Sequence, residues 1–155
     1  MYKILFVCAH NSARSQMAEA FLNKYGKEKF EAESAGIEKE KLNPLAVTAM
    51  KELRIDISKN EIKEVFDLFK EGKLYQAVVT VCDKETAERC PIFPGTVRRI
   101  EWSFPDPSKF TGTDEEIFSQ VRKLRDEIKD KVMQFIDEAG SPDYWMQDLS
   151  ELSKV

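Results

Sequence analysis

Histidine and paired cysteines are scarce in this chain of 155 residues. The sequence contains one histidine, His10, and three cysteines, none of them spaced as C-x2-C. Structural zinc sites usually take four cysteine or histidine ligands, often with two cysteines at that spacing. The sequence therefore predicts no metal site of this kind.

The chain also lacks a surplus of positive charge and a long apolar run. Its net charge is −4 at pH 7 and its isoelectric point is about 5.2, whereas nucleic-acid-binding domains are typically basic. A membrane-spanning helix needs about 18 or more apolar residues in a row, and the amino-terminal run MYKILFVC is too short for a signal peptide. We therefore predict a cytoplasmic monomer that binds neither nucleic acid nor membranes.

The three cysteines, Cys8, Cys82 and Cys90, are an odd set for a cytoplasmic protein. Structural disulfides are rare in that compartment, and an odd number leaves one thiol unpaired. The alternative is that Cys8 and Cys82 are ordinary buried residues, because free cysteines are often buried, and that Cys90 is an incidental exposed thiol. We favour a chemical role for them.

Length and composition indicate one compact domain. Hydrophobic residues make up 42% and charged residues 34% of the sequence, which is typical of a soluble globular protein. We predict that residues 1–139 form this domain and that residues 140–155 form a carboxyl-terminal extension. The aromatic residues of the extension would cover an apolar patch or bind a partner, but a loosely packed terminus is the commoner case.

Apolar runs and helical periodicities alternate along the chain. This alternation predicts an α/β fold with a four-stranded parallel sheet flanked by helices on both faces. The predicted strands cover residues 2–7, 30–34, 76–82 and 97–102. The predicted helices cover residues 17–25, 44–53, 59–71 and 113–140, with Gly26 ending the first and a Thr113–Glu116 capping box starting the last.

The stretch CAHNSARS lies between the first predicted strand and the first predicted helix. A cysteine is nucleophilic as a thiolate, which the amino end of a helix and a nearby cation stabilise. Small residues between the thiol and the arginine let backbone N–H groups converge on an anion, and Arg14 adds a bidentate donor. The sequence thus predicts an oxyanion-binding loop made of Ala9, His10, Asn11, Ser12, Ala13 and Arg14, with Ser15 donating a hydrogen bond to Cys8.

Two further features lie near predicted strand ends. Cys82 ends the third strand, so it reaches the same sheet edge as Cys8, where ligands bind in such folds. Asp106, in a proline-rich loop, is either an ordinary Asp-Pro turn or a general acid with a pKa shifted toward the working pH. His10 has no identifiable partner, so we favour a plain loop role over proton transfer.

These motifs resemble a known family. V-C-x5-R-S after the first strand, with Asp106-Pro107 in a late loop, is similar to the low-molecular-weight tyrosine phosphatase fold family. CAHNSARSQMAEAF, SAGIE, LNPLAVTAMKELRIDIS, VVTVCD and WSFPDPSKFTGTDEE resemble its thioredoxin-coupled arsenate reductases. The resemblance covers residues 1 to about 138.

The resemblance implies a role for each matching residue. Cys8 would be the nucleophile, Arg14 and the loop amides the oxyanion binders, Ser15 the thiolate stabiliser, Asn11 the loop organiser and Asp106 the proton donor. Cys82 and Cys90 would then form the redox pair, which reduced thioredoxin or another dithiol protein recharges. No tightly bound cofactor is implied, and phosphate or sulfate would compete with arsenate.

Two other functions remain open. A phosphatase of the same fold would use Cys8, Arg14 and Asp106 to hydrolyse phosphotyrosine or other phosphomonoesters through a phosphocysteine, leaving two thiols idle. Alternatively, the chain is a redox-sensing or binding module whose oxyanion loop binds an anion but no longer catalyses a reaction. The intact set of Cys8, Arg14, Ser15 and Asp106 argues against the latter.

The resemblance also includes a weak candidate potassium site. Some relatives bind this ion through four side chains, of which three match Asn11, Glu19 and Ser34. The fourth position is Lys63, whose ammonium group opposes a bound cation or takes its place. We therefore expect activity without potassium.

Overall fold

A computed structural model describes residues 1–146 of the chain. Its four strands form one sheet in the order β2-β1-β3-β4, and every neighbouring pair is parallel. The predicted four-stranded parallel sheet is therefore confirmed. The strands are β1 Tyr2–Cys8, β2 Phe30–Gly36, β3 Ala77–Thr80 and β4 Arg98–Glu101.

Five α-helices connect or flank the strands within the described residues. They are α1 Arg14–Tyr25, α2 Pro44–Lys51, α3 Val65–Lys70, α4 Lys84–Glu88 and α5 Asp114–Ala139, and a 3-10 turn covers Pro107–Lys109. None of the helices within residues 1–146 combines the length and apolar character needed to cross a bilayer.

The two faces of the sheet carry separate hydrophobic clusters. Successive side chains of a strand point to opposite faces, so Ile4, Phe6 and Cys8 of β1 enter the larger cluster, which α1, α2 and α5 cover. Leu5 and Val7 enter the smaller cluster on the other face, beside α3. Helices therefore cover both faces, and central β1 is buried on both sides.

Several helices begin or end at the capping residues that the sequence predicted. The Gly26 N–H donates to the Leu22 carbonyl 2.8 Å away and ends α1. Asn43 accepts hydrogen bonds from the first N–H groups of α2, and Pro44 occupies its first turn. Thr113 and Glu116 form the expected capping box at the start of α5.

The helix predicted over residues 59–71 is wrong in its first half. Helix α3 begins only at Val65. Before it, the backbone runs alongside the end of β2, where the Gly36 N–H donates to the Lys63 carbonyl at 2.9 Å and Gly36 pairs with Glu64. These contacts with a distant part of the chain use backbone groups that a helix would need. The segment before Val65 is therefore extended beside β2, although its sequence has a helical periodicity.

The expectation of a loosely packed terminus is wrong for the residues directly after Gly140. Residues 142–146 form a helical turn, and the Trp145 side chain is 7% exposed. Its ring stacks on Tyr2 with 4.9 Å between centroids, and its indole N–H donates to the Ala139 carbonyl. The rest of the proposed extension, residues 147–155, lies outside the described residues.

Candidate active site

The Cys8 thiol lies at the carboxyl end of β1 and is almost fully buried. Its sulfur is 2.9 Å from the Ser15 hydroxyl oxygen and accepts a hydrogen bond from the Asn11 N–H at 3.2 Å. The Asn11 side-chain amide also donates to the Ser15 oxygen at 2.9 Å. That oxygen is thus engaged as an acceptor, which leaves the Ser15 hydrogen free to be donated to a Cys8 thiolate.

Backbone hydrogen bonds hold the loop after Cys8 in place. The carbonyl groups of Cys8, Ala9 and His10 accept from N–H groups in the segment after β2, over distances of 2.9 to 3.2 Å. The Ser12 carbonyl accepts from Asn43 in the same way. These bonds engage the loop carbonyls, and the Asn11 N–H points to the Cys8 sulfur; backbone N–H groups that converge at the start of a helix in this way suit an anion.

The close approach of β2 to the loop depends on Gly36. A Cβ atom at this position would lie 2.6 Å from both the Asn11 nitrogen and the His10 carbonyl carbon. Such a distance is far below van der Waals contact, and both neighbouring atoms belong to the backbone. Any residue other than glycine would therefore push the loop away from the sheet.

Asn11 organises the loop from its centre. It is fully buried and has φ of 55°, in the left-handed region that asparagine tolerates better than most residues. This conformation turns its N–H toward Cys8, while its side-chain oxygen accepts from Gln16 and from the Lys63 backbone at 3.1 and 2.9 Å. Asn11 thus connects the loop to α1 and to the segment before α3.

Arg14 lies at the start of α1 with its side chain buried. Its guanidinium donates to the Phe104 carbonyl at 3.1 Å and lies 3.9 Å from the Asp106 carboxylate. The same group lines a groove of about 580 Å³, whose other walls include Asp83, Phe104 and Phe110. The groove leads from solvent to the guanidinium, so an anion has a route to it.

Asp106 is turned toward Arg14 but holds its proton weakly. Burial by itself raises the pKa of Asp106, but hydrogen bonds from the Ser108 N–H and hydroxyl outweigh it, and the charges of Arg14 and His10 add to them. The net effect is a lowered pKa. A general-acid role needs a pKa near the working pH, whereas the lowered pKa leaves Asp106 ionised at neutral pH in the ligand-free protein.

Cys82 lies just beyond β3, next to the end of β1. Its sulfur is 4.0 Å from the Val7 carbonyl, and it belongs to the same hydrophobic cluster as Cys8. Burial and then the nearby Cys8 raise the pKa of the Cys82 thiol to about 12. Cys82 is thus a protonated thiol beside Cys8 at neutral pH.

Cys90 is placed differently from the other two cysteines. It belongs to the smaller hydrophobic cluster with Phe93 and Tyr75, on the opposite face of the sheet. Its side chain is buried, and burial raises the pKa of its thiol to about 11. The structure therefore brings together five of the six predicted catalytic residues, namely Cys8, Arg14, Ser15, Cys82 and Asp106, and leaves Cys90 apart.

Polar contacts hold the segment between Cys82 and Cys90. Its spacer forms the short helix α4, which Asp83 caps by accepting from the Thr86 N–H. The Arg99 guanidinium donates to the Ala87 carbonyl at 3.2 Å, and Arg89 forms an exposed ion pair with Glu38 at 3.4 Å. Cys90 can move only if some of these contacts break.

The candidate potassium ligands bind one another and their neighbours. The Asn11 amide donates to the Ser34 hydroxyl at 3.0 Å, while Glu19 also hydrogen-bonds Ser34 and is under the influence of the Lys63 charge. The Asn11 oxygen already accepts two N–H groups. These residues do not fit a potassium ion, because the amide oxygen is taken and Lys63 supplies positive charge.

The sequence did not indicate several residues that complete the site. Ser108 holds the Asp106 carboxylate, the Phe104 carbonyl holds Arg14, and Glu40 lies beside His10. A serine two residues after an aspartate is a recognisable turn signal. Glu40 gives no such signal. It lies beside His10 only because the segment after β2 runs along the loop. Within residues 1–146, no group of three or more metal-ligand side chains is gathered.

Comparisons with known proteins give consistent matches over most of the chain. Residues 3–142 match the family model described as low molecular weight phosphotyrosine protein phosphatase. The chain is 43% identical to an arsenate reductase of Halalkalibacterium halodurans and 41% identical to one of Bacillus subtilis, in each case over 86% of this chain and 94% of the relative. A solved arsenate reductase in the phosphate binding state is 30% identical, with a TM-score of 0.69, over 88% of this chain and 98% of that one.

Proposed function

Because the chain belongs to the low molecular weight phosphotyrosine protein phosphatase family, we propose that its oxyanion loop serves the reduction of arsenate to arsenite. Three cysteines would carry the electrons, and a dithiol protein such as thioredoxin would restore them. One observation carries the proposal: a second buried thiol, Cys82, lies at the same sheet edge as the nucleophile. Phosphate ester hydrolysis has no use for that thiol.

In the first step, the Cys8 thiolate attacks arsenic and one oxygen leaves. The loop N–H groups and Arg14 hold the remaining oxygens and offset their negative charge. Asp106 is ionised before the substrate binds, but a bound oxyanion raises its proton affinity by like charge. With dihydrogen arsenate as substrate, Asp106 would therefore take a proton from one hydroxyl group and pass it to the other hydroxyl group, which departs as water.

In the second step, Cys82 attacks the sulfur of Cys8. A sulfur–sulfur bond forms, the arsenic–sulfur bond breaks, and its electron pair stays on arsenic as arsenite is released. The thiol must first lose a proton, and its pKa of about 12 makes this unfavourable in the resting protein. Cys8 raises this pKa and Arg14 lowers it. Bonding to arsenic removes the negative charge from the Cys8 sulfur, while Arg14 and the loop N–H groups offset the charge that stays on the arsenic-bound oxygens, so Cys82 would ionise more readily than in the resting protein.

In the third step, Cys90 attacks Cys82, and the Cys8 thiolate leaves. The product is a disulfide between Cys82 and Cys90, and two electrons have passed from the pair to arsenic. For this exchange Cys90 must leave the smaller cluster, which requires α4 to rearrange. A dithiol protein such as thioredoxin then reduces the disulfide and closes the cycle.

The decisive experiment follows NADPH oxidation with thioredoxin, thioredoxin reductase and arsenate. The wild type should turn over, whereas Cys82→Ser and Cys90→Ser should each lose turnover. Sulfate binding by both variants serves as the control for folding and for an intact loop. Turnover that persists in either variant would rule out the three-cysteine relay, and replacing thioredoxin with glutaredoxin and glutathione would test the choice of donor.

A phosphatase is the second candidate. The groove beside Arg14 is larger than an inorganic oxyanion requires, and Phe104 and Phe110 line it, so an aryl phosphate fits its chemistry. Hydrolysis would use Cys8, Arg14 and Asp106 alone. Phosphatase activity that survives in Cys82→Ser, alongside lost arsenate turnover, would mean that both activities share the loop.

A further inference from the structure

The backbone of His10 is fixed within the oxyanion loop. Its carbonyl accepts a hydrogen bond from the Glu40 N–H at 3.2 Å, and its carbonyl carbon lies against Gly36, where no Cβ would fit. The side chain is 29% exposed. The imidazole is thus attached to a rigid part of the loop, at the border between the oxyanion site and solvent.

The ring of His10 faces a carboxylate. Nδ1 lies 3.6 Å from the Glu40 Oε1 atom, and among the described residues this buried nitrogen makes no hydrogen bond. A ring with a lone pair on Nδ1 is repelled by the carboxylate, whereas a ring that carries a proton on Nδ1 is attracted to it, most strongly when the ring is charged. Histidine is the side chain that ordinarily changes charge between about pH 5 and 8.

Other charged groups surround the ring. Asp106, across the oxyanion site, has its pKa lowered in part by the charge of His10, and Arg14 lies beyond it. On the same loop is the Cys8 thiol. Glu38, two residues before Glu40, instead pairs with Arg89. His10 therefore contacts one carboxylate and acts electrostatically on a second, at the edge of the proposed oxyanion site.

We propose that His10 is a pH-responsive positioning residue that strengthens oxyanion binding when its ring is protonated. The imidazolium would offset the two carboxylates when a dianion enters the loop, and the neutral ring would not. Protonation of His10 and binding of a tetrahedral oxyanion would then favour each other reciprocally. The inference rests on the proposed function only in treating the loop as an oxyanion site, not in the reduction itself.

Sulfate is the appropriate probe, because its charge does not change over this pH range, unlike that of arsenate or phosphate. His10 is the only histidine in the sequence, so a single imidazole proton resonance in an NMR titration reports its ionisation. Saturating sulfate should raise the midpoint of that titration by about one pH unit, which corresponds to roughly tenfold tighter binding to the protonated form. A midpoint that sulfate leaves unchanged would overturn the proposal.

Variants separate His10 from the other groups that titrate in this range. In His10→Gln, sulfate affinity should change by less than about twofold across the range where the wild type changes about tenfold. Glu19→Gln is the matched control, because burial raises the pKa of Glu19 to about 7, and this variant should keep the wild-type dependence. A flat profile in Glu19→Gln, or an unaltered one in His10→Gln, would refute the role of His10. These outcomes do not depend on whether arsenate is reduced.

Discussion

Cys82 and Cys90 lie in different hydrophobic clusters, on opposite faces of the sheet. Cys82 packs in the larger cluster with Cys8, while Cys90 packs with Phe93 and Tyr75 in the smaller one. The proposed disulfide between them therefore cannot form without movement of the intervening segment. The contacts that hold α4 would therefore limit how fast the proposed disulfide can form.

Loss of the Arg99 contact should make Cys90 more accessible. Arg99→Met removes the hydrogen bond to the Ala87 carbonyl, and one such bond contributes about 0.5 to 1.5 kcal/mol. Because Arg99 also lowers the pKa of Cys90, the readout must not depend on the thiolate: hydrogen–deuterium exchange of the α4 amides, followed by mass spectrometry, should accelerate by about two- to tenfold. Arg98→Met is the matched control, because Arg98 binds the Tyr144 carbonyl. Equal acceleration in the two variants would contradict a specific role for Arg99.

Asp106 should matter for turnover and not for anion binding. Asp106→Asn removes a proton-transfer group, and such groups contribute about 10²- to 10⁴-fold to rate. Sulfate affinity should stay the same or increase, because the substitution removes a negative charge near the site. Steady-state arsenate kinetics and sulfate calorimetry measure the two effects. Near wild-type turnover in Asp106→Asn would show that the leaving oxygen is protonated by another route.

Activity should not require potassium. The Asn11 side-chain oxygen already accepts two N–H groups. The positive charge of Lys63 also acts on the Glu19 carboxylate, where a bound potassium ion would otherwise supply positive charge. Replacing potassium with sodium or choline at constant ionic strength should change arsenate turnover by less than about twofold, by the like-charge argument at Lys63. A strong increase with potassium concentration would contradict this prediction.

Glu19 should make stability depend on pH. Burial raises its pKa from 4.5 to about 7, so the folded protein binds this proton more tightly than the unfolded chain does. The contribution to stability is therefore fully present below about pH 4.5, decreases between the two values, and is constant above about pH 7. Across this interval, urea unfolding of the wild type should lose about 3 kcal/mol relative to Glu19→Gln.

The matched control for this pH effect is Glu31→Gln. Glu31 is an exposed residue of β2, so its substitution should leave the wild-type slope unchanged. An identical slope in Glu19→Gln and the wild type would show that Glu19 does not hold its proton in the folded state.

Trp145 should contribute to the stability of the whole fold. Its ring is buried against Tyr2, and its N–H binds the Ala139 carbonyl. Truncation of a buried tryptophan to alanine typically costs about 3 to 5 kcal/mol, so Trp145→Ala should lower the urea midpoint clearly. Met146→Ala changes an exposed neighbour and should have little effect. Equal midpoints for the two variants would mean that Trp145 packs only loosely in solution.

Local patterns predicted most of the fold. Apolar runs predicted the strands, while Gly26, Asn43 and Thr113 marked helix ends because capping acts over a few residues. The segment before α3 shows the limit of this approach. Its backbone partners are Gly36 and the side chain of Asn11, and neither adjoins it in the sequence.

The site was predictable to a similar extent. The cysteine and arginine of the loop were identifiable because their spacing and position after a strand carry the chemistry. Two relationships were not, namely the contact of His10 with Glu40 and the burial of Cys90 on the far face. Both depend on which way a connecting segment turns after leaving the sheet, and residue type alone does not encode that direction.

The buried position of Cys90 also bears on the reduction potential of the proposed Cys82–Cys90 disulfide. Withdrawing it from its apolar neighbours would expose surface that the dithiol form keeps covered, so an oxidised form with the proposed Cys82–Cys90 disulfide would give up part of its folding free energy. A disulfide that forms at such a conformational cost has a higher reduction potential than an unstrained one. The buried resting position of Cys90 would thus make the spent protein a better oxidant and draw electrons toward it from its partner.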